Sequence, residues 1–345
     1  MARSALAAAL WSNSMSNLEI KATKPVRIVI VTPVYNDWES FKKLVPNIDK
    51  YLRDRAVSVK FIAVDDGSFQ EPKLTEHDWG QMDVVNSLEI LRLTSNQGHQ
   101  RAIAIGLSRV AVDADADVVI VMDCDGEDRP QDIGALLDAH LKTPNAIIVA
   151  SRATRSEGFA FVVLYAVYKH CFRAMTGKSI DFGNFSMIPM PLLARLVHLP
   201  EAWNHLAGTI VRSRLPIVRV ATDRGLRYAG QSSMNLVSLI IHGLSGISVF
   251  SDTVFVRLLL IASLLGAGTM TMAAALVALR LLTDWTPPGW TSTTIVSLVI
   301  VFMQVLLFSG GAIFMQLQRR SSPTVIPAWV APDYILGSIH FDLSV

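Results

Sequence analysis

The chain has 345 residues, 51% hydrophobic and 17% charged, with 31 Lys+Arg against 29 Asp+Glu and a formal net charge of +2. So slight a charge gives no polyelectrolyte signal and predicts no nucleic-acid partner, while the length suits one α/β domain of about 230 residues plus two membrane spans. Two cysteines, Cys124 and Cys171, are too few for a disulfide framework or a thiolate metal site, and both are expected as small core residues in a reducing compartment.

Residues 1–24 read as a loose N-terminal extension. Arg3 leads a short Ala/Leu run with no clear cleavage site after it, which argues against a signal peptide, and Met15 is an alternative start. From there, apolar β-branched runs recur at Val26–Thr32, Val57–Val64, Leu88–Leu93, Val118–Met122 and Ala146–Ala150. Helical patterns alternate with them at Trp38–Leu52, Gln100–Val112 and Asp132–Leu141. Such alternation predicts a mostly parallel sheet flanked by helices, with its ligand beyond the carboxyl ends of the strands.

Polar clusters fall at those ends: Pro33-Val34-Tyr35-Asn36-Asp37, Asp65-Asp66-Gly67-Ser68 and Asp123-Cys124-Asp125-Gly126-Glu127-Asp128. No G-x-G-x-x-G follows the first strand and no G-x-x-x-x-G-K-[ST] occurs, so dinucleotide and P-loop cradles lose support. A lone D-x-D is usually a solvated acidic turn. Two acidic strand ends in one sheet instead converge on one crevice, where a hard cation, Mg²⁺ or Mn²⁺, can bridge carboxylates to a diphosphate.

Ser233–Phe250 places Leu236, Leu239, Ile240, Leu244, Ile247 and Phe250 at helical spacing. It reads equally as an amphipathic helix along a membrane surface or as a core helix. Leu258–Leu279 and Ile295–Leu317 lack any Asp, Glu, Lys or Arg and are each long enough to cross a hydrocarbon core of about 30 Å. Mean hydropathy of +0.39 has its source there. Arg257, Arg319 and Arg320 flank the pair, whereas the connector bears Trp285 and Trp290 and no Lys or Arg, so both ends are expected in the cytoplasm.

Together, Thr32-Pro33-Val34-Tyr35-Asn36, Val64 to Ser68, Asn96-Gln97-Gly98-His99 and Met122 to Asp125 resemble the successive signatures of family-2 glycosyltransferases with the GT-A fold. The polyprenyl-phosphate branch, which includes dolichol-phosphate mannose synthase and bactoprenol glucosyltransferase, is the nearer likeness. It shares Arg152-x-x-Arg155, Gly183-Asn184-Phe185, and Arg227, Gly230 and Ser232 before the membrane. The resemblance implies a GT-A domain at 25–232, an amphipathic juxtamembrane segment at 233–252, transmembrane helices at 253–282 and 295–318, an external hairpin at 283–294, and a cytoplasmic tail at 319–345.

By position, the likeness assigns Pro33, Tyr35, Asp37, Asp65, Asp66 and Asp123 to the nucleotide and Asp123, Asp125 and Glu127 to the metal. Asp125, Asp128, Arg152, Arg155, Asp181, Asn184 and Arg227 are the catalytic candidates. Relatives often carry Gln at Glu127, Asp at Asn184, Arg at Ser186 and Lys at Ser233. Asn184 is no general base, but a lipid monophosphate with a second pKa near 6 is largely dianionic at pH 7 and needs positioning more than deprotonation. His99, at the start of a helix, can cap, pack or touch phosphate, and a structural role is expected. Trp203-Asn204-His205 does not match the Gln-x-x-Arg-Trp element of processive synthases, which argues against a polymerase.

The implied activity is a metal-dependent, inverting transfer of one hexose from a nucleotide diphosphate sugar to undecaprenyl or another polyprenyl phosphate. It would take place at a multi-pass inner-membrane protein whose catalytic domain faces the cytoplasm; a homo-oligomer is compatible with this. The alternatives are a hydroxyl acceptor, with Asp128 or Asp181 as base, and a non-catalytic nucleotide-sugar-binding scaffold.

Overall fold

The computed structural model describes residues 24–113, 115–152, 169–229, 236–283, 285, 287 and 289–344. The expected N-terminal extension, save Lys24, lies outside the described residues. Each strand and helix predicted before the long apolar pair forms, with ends displaced by up to three residues. Strands β1 Val26–Val34, β2 Val57–Asp65, β3 Val85–Leu93, β4 Val118–Val121 and β5 Ile147–Arg152 are joined through helices α1 Trp38–Leu52, α2 His99–Asp113 and α3 Ile133–Lys142. The sequence reading missed β6 Ser186–Pro189, α4 Met190–Leu196, α5 Leu206–Ser213 and β7 Ile217–Thr222. After α6 Leu236–Ser248, α7 Ser251–Leu282 and α8 Trp290–Ser321, a last strand, β8, spans Ile335–Asp342.

The eight-stranded sheet runs β7-β5-β6-β4-β1-β2-β3-β8. Strands β4, β1, β2 and β3 are parallel; β6 runs against β4 and β5, and β8 against β3. Central strands read as unbroken apolar runs because both faces are covered: Val118 to Val121 is wholly buried. On one face Phe41, Leu44 and Ile48 of α1 and Leu136 of α3 meet the sheet; on the other, Ile103 and Leu107 of α2, Leu193 and Leu206 do so. The chain proceeds from β1 through β2 to β3 in one direction, then returns to place β4 on the other side of β1. That reversal opens a crevice at the carboxyl ends of β1 and β4.

Phe41 is fully buried and meets Trp38, Phe61 and Trp79 edge-on, at ring separations of 5.9, 6.2 and 5.9 Å. Phe41→Ala removes this hub and leaves a cavity. It is expected to destabilise the domain by about 3–5 kcal/mol, read as a lowered denaturation midpoint of the full chain in detergent.

Both long helices have 32 residues and are apolar enough to cross a membrane. They run past the charge-free stretches Leu258–Leu279 and Ile295–Leu317 at both ends, and α8 begins at Trp290, inside the stretch expected as connector. They pack on each other, with Phe302 of α8 beside Gly266 of α7, while Leu264, Leu281, Leu307 and Phe314 are bare. At the foot of the pair, Asp252 accepts hydrogen bonds from Gln316 Nε2 at 2.8 Å and Arg212 Nη2 at 3.4 Å. Arg212 also donates to the Val249 carbonyl at 2.9 Å, which ties the hairpin to α5. The residues expected as a plain tail instead return to the sheet: Leu88 pairs with Phe341, Ile90 pairs with Ile339, and Leu343 enters the core on the α1 face. Both ends of the hairpin therefore lie on the side of the sheet domain.

Candidate active site

Loops after β1 and β2 are locked together. The Asn36 N–H donates to Ser68 Oγ at 2.9 Å, and Asn36 Oδ1 accepts from the Phe69 N–H at 3.2 Å. Asp65 Oδ1 accepts the Ser68 N–H at 2.9 Å. Gly67 holds φ +70 there, and a Cβ on it would come within 2.6 Å of the Asn96 nitrogen, so only glycine fits. Asp66 turns to the next loop, accepting from the N–H groups of Gln97 at 2.6 Å and Gly98 at 3.0 Å. Burial pushes its carboxyl up, against the pull of those two donors. Asp66 thus braces the crevice wall. Tyr35 is 50% exposed and Phe69 77% exposed, their rings edge-on at 6.5 Å, so two open aromatic faces flank Asp65. Phe69 went unremarked in the sequence because an isolated aromatic after a turn has no pattern.

Beyond β4 the acidic loop is shaped by its own carboxylates. Asp128 Oδ2 accepts the Asp123 N–H at 3.1 Å, and Asp125 Oδ1 accepts the Glu127 N–H at 2.9 Å. A strap, residues 224–228, lies directly across this loop. Its Gly225 and Tyr228 N–H groups donate to the carbonyls of Glu127 at 2.9 Å and Asp125 at 2.8 Å. From the strap, Arg227 Nη2 reaches Asp125 Oδ2 at 2.8 Å and its Nε reaches Glu127 Oε1 at 2.9 Å. Arg224 Nη2 meets the same Glu127 oxygen at 2.8 Å. Arg224 was not among the sequence candidates; its three-residue spacing from Arg227 was the available signal.

Charge in this cluster is finely opposed. Burial, then the neighbouring Asp123 charge, push the Asp125 carboxyl up, with Arg227 pulling the other way. Burial also acts to raise Glu127, but Arg224 and Arg227 outweigh it and hold the group below its usual value. Burial of the Cys124 thiol between the two aspartates, with Asp37 next in effect, raises it well above the ordinary range.

Asp123 and Asp125 fit a hard divalent cation: their donors are carboxylate oxygens, and they lie close enough for one charge to oppose ionisation of the other. Glu127 is committed to two guanidinium groups. Among the described residues, no three His, Cys, Asp or Glu side chains are already gathered in metal-binding geometry.

Asn184 sits in a chain of amides. The Leu206 N–H donates to Gln100 Oε1 at 2.8 Å, and Gln100 Nε2 donates to Asn184 Oδ1 at 3.1 Å. Asn184 Nδ2 then lies 3.0 Å from His99 Nε2, which is 3.3 Å from Asp123 Oδ1. His99, expected to cap or pack, thus connects Asn184 to the acidic loop. Burial lowers its affinity for a proton, but Asp123, Asp128 and Asp66 outweigh that and raise it.

Asp181 is drawn away to Arg219, 3.0 Å distant. Arg152 ends β5, but its side chain, together with Arg155, Gly230, Ser232 and Ser233, lies outside the described residues. The cysteine expectation holds for Cys124, which is buried, and fails for Cys171, which is exposed because its helical turn offers that position to solvent.

Residues 29–184 match the family model described as Glycosyl transferase family 2. A Bacillus subtilis (strain 168) relative, the uncharacterized glycosyltransferase YkcC, is 23% identical over 84% of this chain and 88% of its own length. The undecaprenyl-phosphate 4-deoxy-4-formamido-L-arabinose transferase of Erwinia tasmaniensis is 25% identical over 76% of this chain and 80% of its own. That of Yersinia pestis is 26% identical over 83% and 84%. Among solved structures, Mycobacterium tuberculosis glucosyl-3-phosphoglycerate synthase with Mn²⁺, UDP-glucose and phosphoglyceric acid superposes at a TM-score of 0.48, with 16% identity over 68% of this chain and 81% of that one. The acidic crevice at the β1/β4 reversal of this mostly parallel sheet therefore lies within the stretch, residues 29–184, that matches the glycosyl transferase family 2 model.

Proposed function

We propose that the protein is a membrane-held, inverting hexosyltransferase that moves one sugar from a nucleotide diphosphate sugar to a polyprenyl phosphate on the cytoplasmic leaflet. The observation that carries this is a juxtaposition. The Asp123–Asp125 loop, strapped by Arg224 and Arg227, stands in the same domain that receives both ends of a long apolar hairpin. The undecaprenyl-phosphate transferase names of the Erwinia and Yersinia relatives support that acceptor class.

Tyr35, Phe69 and Asp65 would hold the base and ribose. Arg224 and Arg227, now occupied by Glu127 and Asp125, would turn to the diphosphate as it departs, each guanidinium–phosphate contact contributing about 1.5–3 kcal/mol. A divalent cation at Asp123 and Asp125, Mg²⁺ or Mn²⁺, would neutralise developing charge on the leaving group. Both carboxylates considered as bases already have partners. Asp128 braces the Asp123 backbone and Asp181 pairs with Arg219. This favours a phosphate acceptor, which arrives as its own nucleophile.

The test is transfer by the purified full chain in nanodiscs from a panel of nucleotide sugars to undecaprenyl phosphate. One sugar is expected to appear on the lipid phosphate, with Asp181→Asn active and Arg227→Ala impaired about tenfold or more. Transfer to the free polyprenol would establish the hydroxyl reading, and no transfer from any donor would leave the scaffold reading.

Return of β8 to the sheet also sets an expectation for topology. In a variant lacking Cys124 and Cys171, a cysteine at Pro287 is expected to react with an impermeant maleimide from outside the cell, and one at Ser338 to react only after permeabilisation. Labelling of both from outside would sink the two-span arrangement.

A further inference from the structure

Glu127 falls where the resemblance implies a ligand of the metal, yet its surroundings suit another task. Its backbone is clamped on both sides: the N–H donates to Asp125 Oδ1 at 2.9 Å, and the carbonyl accepts the Gly225 N–H at 2.9 Å. Gly126, at φ +89, turns the chain between the two acids where the strap crosses. A Cβ there would meet the Leu226 carbonyl oxygen and the Tyr228 ring, both at 2.9 Å. The Glu127 side chain that leaves this clamp is only 13% exposed, and its Oε1 meets Arg224 Nη2 at 2.8 Å and Arg227 Nε at 2.9 Å.

Arg227 divides its nitrogens between two acids. Nε and Nη2 lie along one edge of the planar guanidinium group, and that edge bridges Glu127 Oε1 and Asp125 Oδ2, at 2.9 and 2.8 Å. A guanidinium group thus stands between the two carboxylates that would have to share a cation. Among the described residues, no third His, Cys, Asp or Glu joins Asp123 and Asp125 in a cluster that could hold a metal ion.

The two ends of this bridge differ in what they can give up. A hard cation competes for carboxylate oxygens, and Asp125 is one of the two donors that fit it. A cation that takes Asp125 Oδ2 displaces Nη2 and leaves Nε on Glu127, so Arg227 turns about that contact without leaving the loop. Its terminal nitrogens, Nη1 and Nη2, are then available as the fork that matches phosphate oxygens. A glutamine at this position would offer the same oxygen without the charge and hold two guanidinium groups less firmly.

We propose that Glu127 anchors Arg224 and Arg227 as a positioning residue for the donor diphosphate, and that the cation rests on Asp123 and Asp125 without it. This deepens the transfer reading above and rests on it.

The test uses the full chain in nanodiscs and two probes that carry no nucleotide base. They are Mn²⁺ alone, followed by electron paramagnetic resonance, and inorganic pyrophosphate at saturating Mn²⁺, followed by calorimetry. Glu127→Gln keeps the oxygen and removes the charge; Glu127→Ala removes both. Both variants are expected to keep the parent's Mn²⁺ affinity, whereas Asp125→Asn should lose it about tenfold or more. Pyrophosphate affinity should fall about tenfold in Glu127→Gln and further in Glu127→Ala. Arg224→Gln should weaken pyrophosphate binding in the parent and add little in the Glu127→Ala background, since the anchor acts through that arginine. In turnover, Glu127→Gln should lower kcat/KM for the donor and leave KM for polyprenyl phosphate unchanged. A tenfold loss of Mn²⁺ affinity in Glu127→Gln, at an unchanged melting temperature, would make the residue a ligand and overturn the proposal, with the transfer reading left standing. Parental pyrophosphate affinity in both Glu127 variants would do the same. A parent chain that binds no Mn²⁺ and transfers sugar fully in EDTA would overturn the cation at Asp123 and Asp125, and the proposal with it.

Discussion

Asp125→Asn is expected to abolish sugar transfer while leaving the melting temperature unchanged or higher. The amide oxygen can still accept the Glu127 N–H, now 2.9 Å from Asp125 Oδ1, so the loop keeps its turn. What disappears is a charge that the fold resists. Burial and Asp123 raise the Asp125 carboxyl above its unfolded value, so the folded state binds this proton more tightly than the unfolded chain. Stability attached to this group is thus lost as pH rises from the unfolded value through the folded one, and at neutral pH its ionised form is a burden. The charge is kept because cation binding and leaving-group stabilisation need it, and its removal should cost about 10²–10³ in rate or more. Thermal unfolding beside a radiolabelled transfer assay checks both halves. A sharp fall in melting temperature would make Asp125 structural, and undiminished transfer would sink the metal-bridged mechanism.

Gly225→Ala is expected to be nearly as damaging with no change at any acidic residue. A Cβ at position 225 would overlap the Gly126 carbonyl oxygen and crowd Arg129 Cγ, at 2.9 Å. The first obstacle is backbone, so the strap itself must lift. Lifting it breaks the N–H bond from Gly225 to Glu127 and draws Arg224 and Arg227 off their carboxylates. Displacing both guanidinium groups at once corresponds to about 10²-fold or more in transfer. Circular dichroism and the unfolding midpoint should stay near wild type, because the core on both faces of the sheet is untouched. Normal transfer by this variant would show that the strap plays no part in turnover.

How much of this was legible in the sequence varies by element. The five leading strands and three helices were readable because buried parallel strands are apolar throughout and their helices are amphipathic, as in Val118–Val121 and Trp38–Leu52. β6 and β7 were missed: Ser186–Pro189 is four residues ending in proline, and Ile217–Thr222 is an edge strand interrupted by Arg219. β8 carries Gly337, Ser338 and His340 and lies beyond two apolar spans, where a strand contributing to the first domain is not anticipated. Asp65, Asp123 and Asp125 were visible from their places after strands. Their pairing with Arg227 was not, since those residues come from opposite ends of the domain.

The strand that closes the sheet on its β3 side is made after both apolar helices. Until Ile335–Asp342 leaves the ribosome, β3 presents an unpaired edge, and an unpaired edge invites pairing with other chains. Both apolar helices precede β8 in the chain, so both are made before the sheet can be completed. Under the membrane-held reading proposed above, completion of the sheet would follow insertion of the hairpin. A chain that stops short of β8, or whose hairpin leaves the C-terminus on the wrong side, keeps that edge open to aggregation and proteolysis.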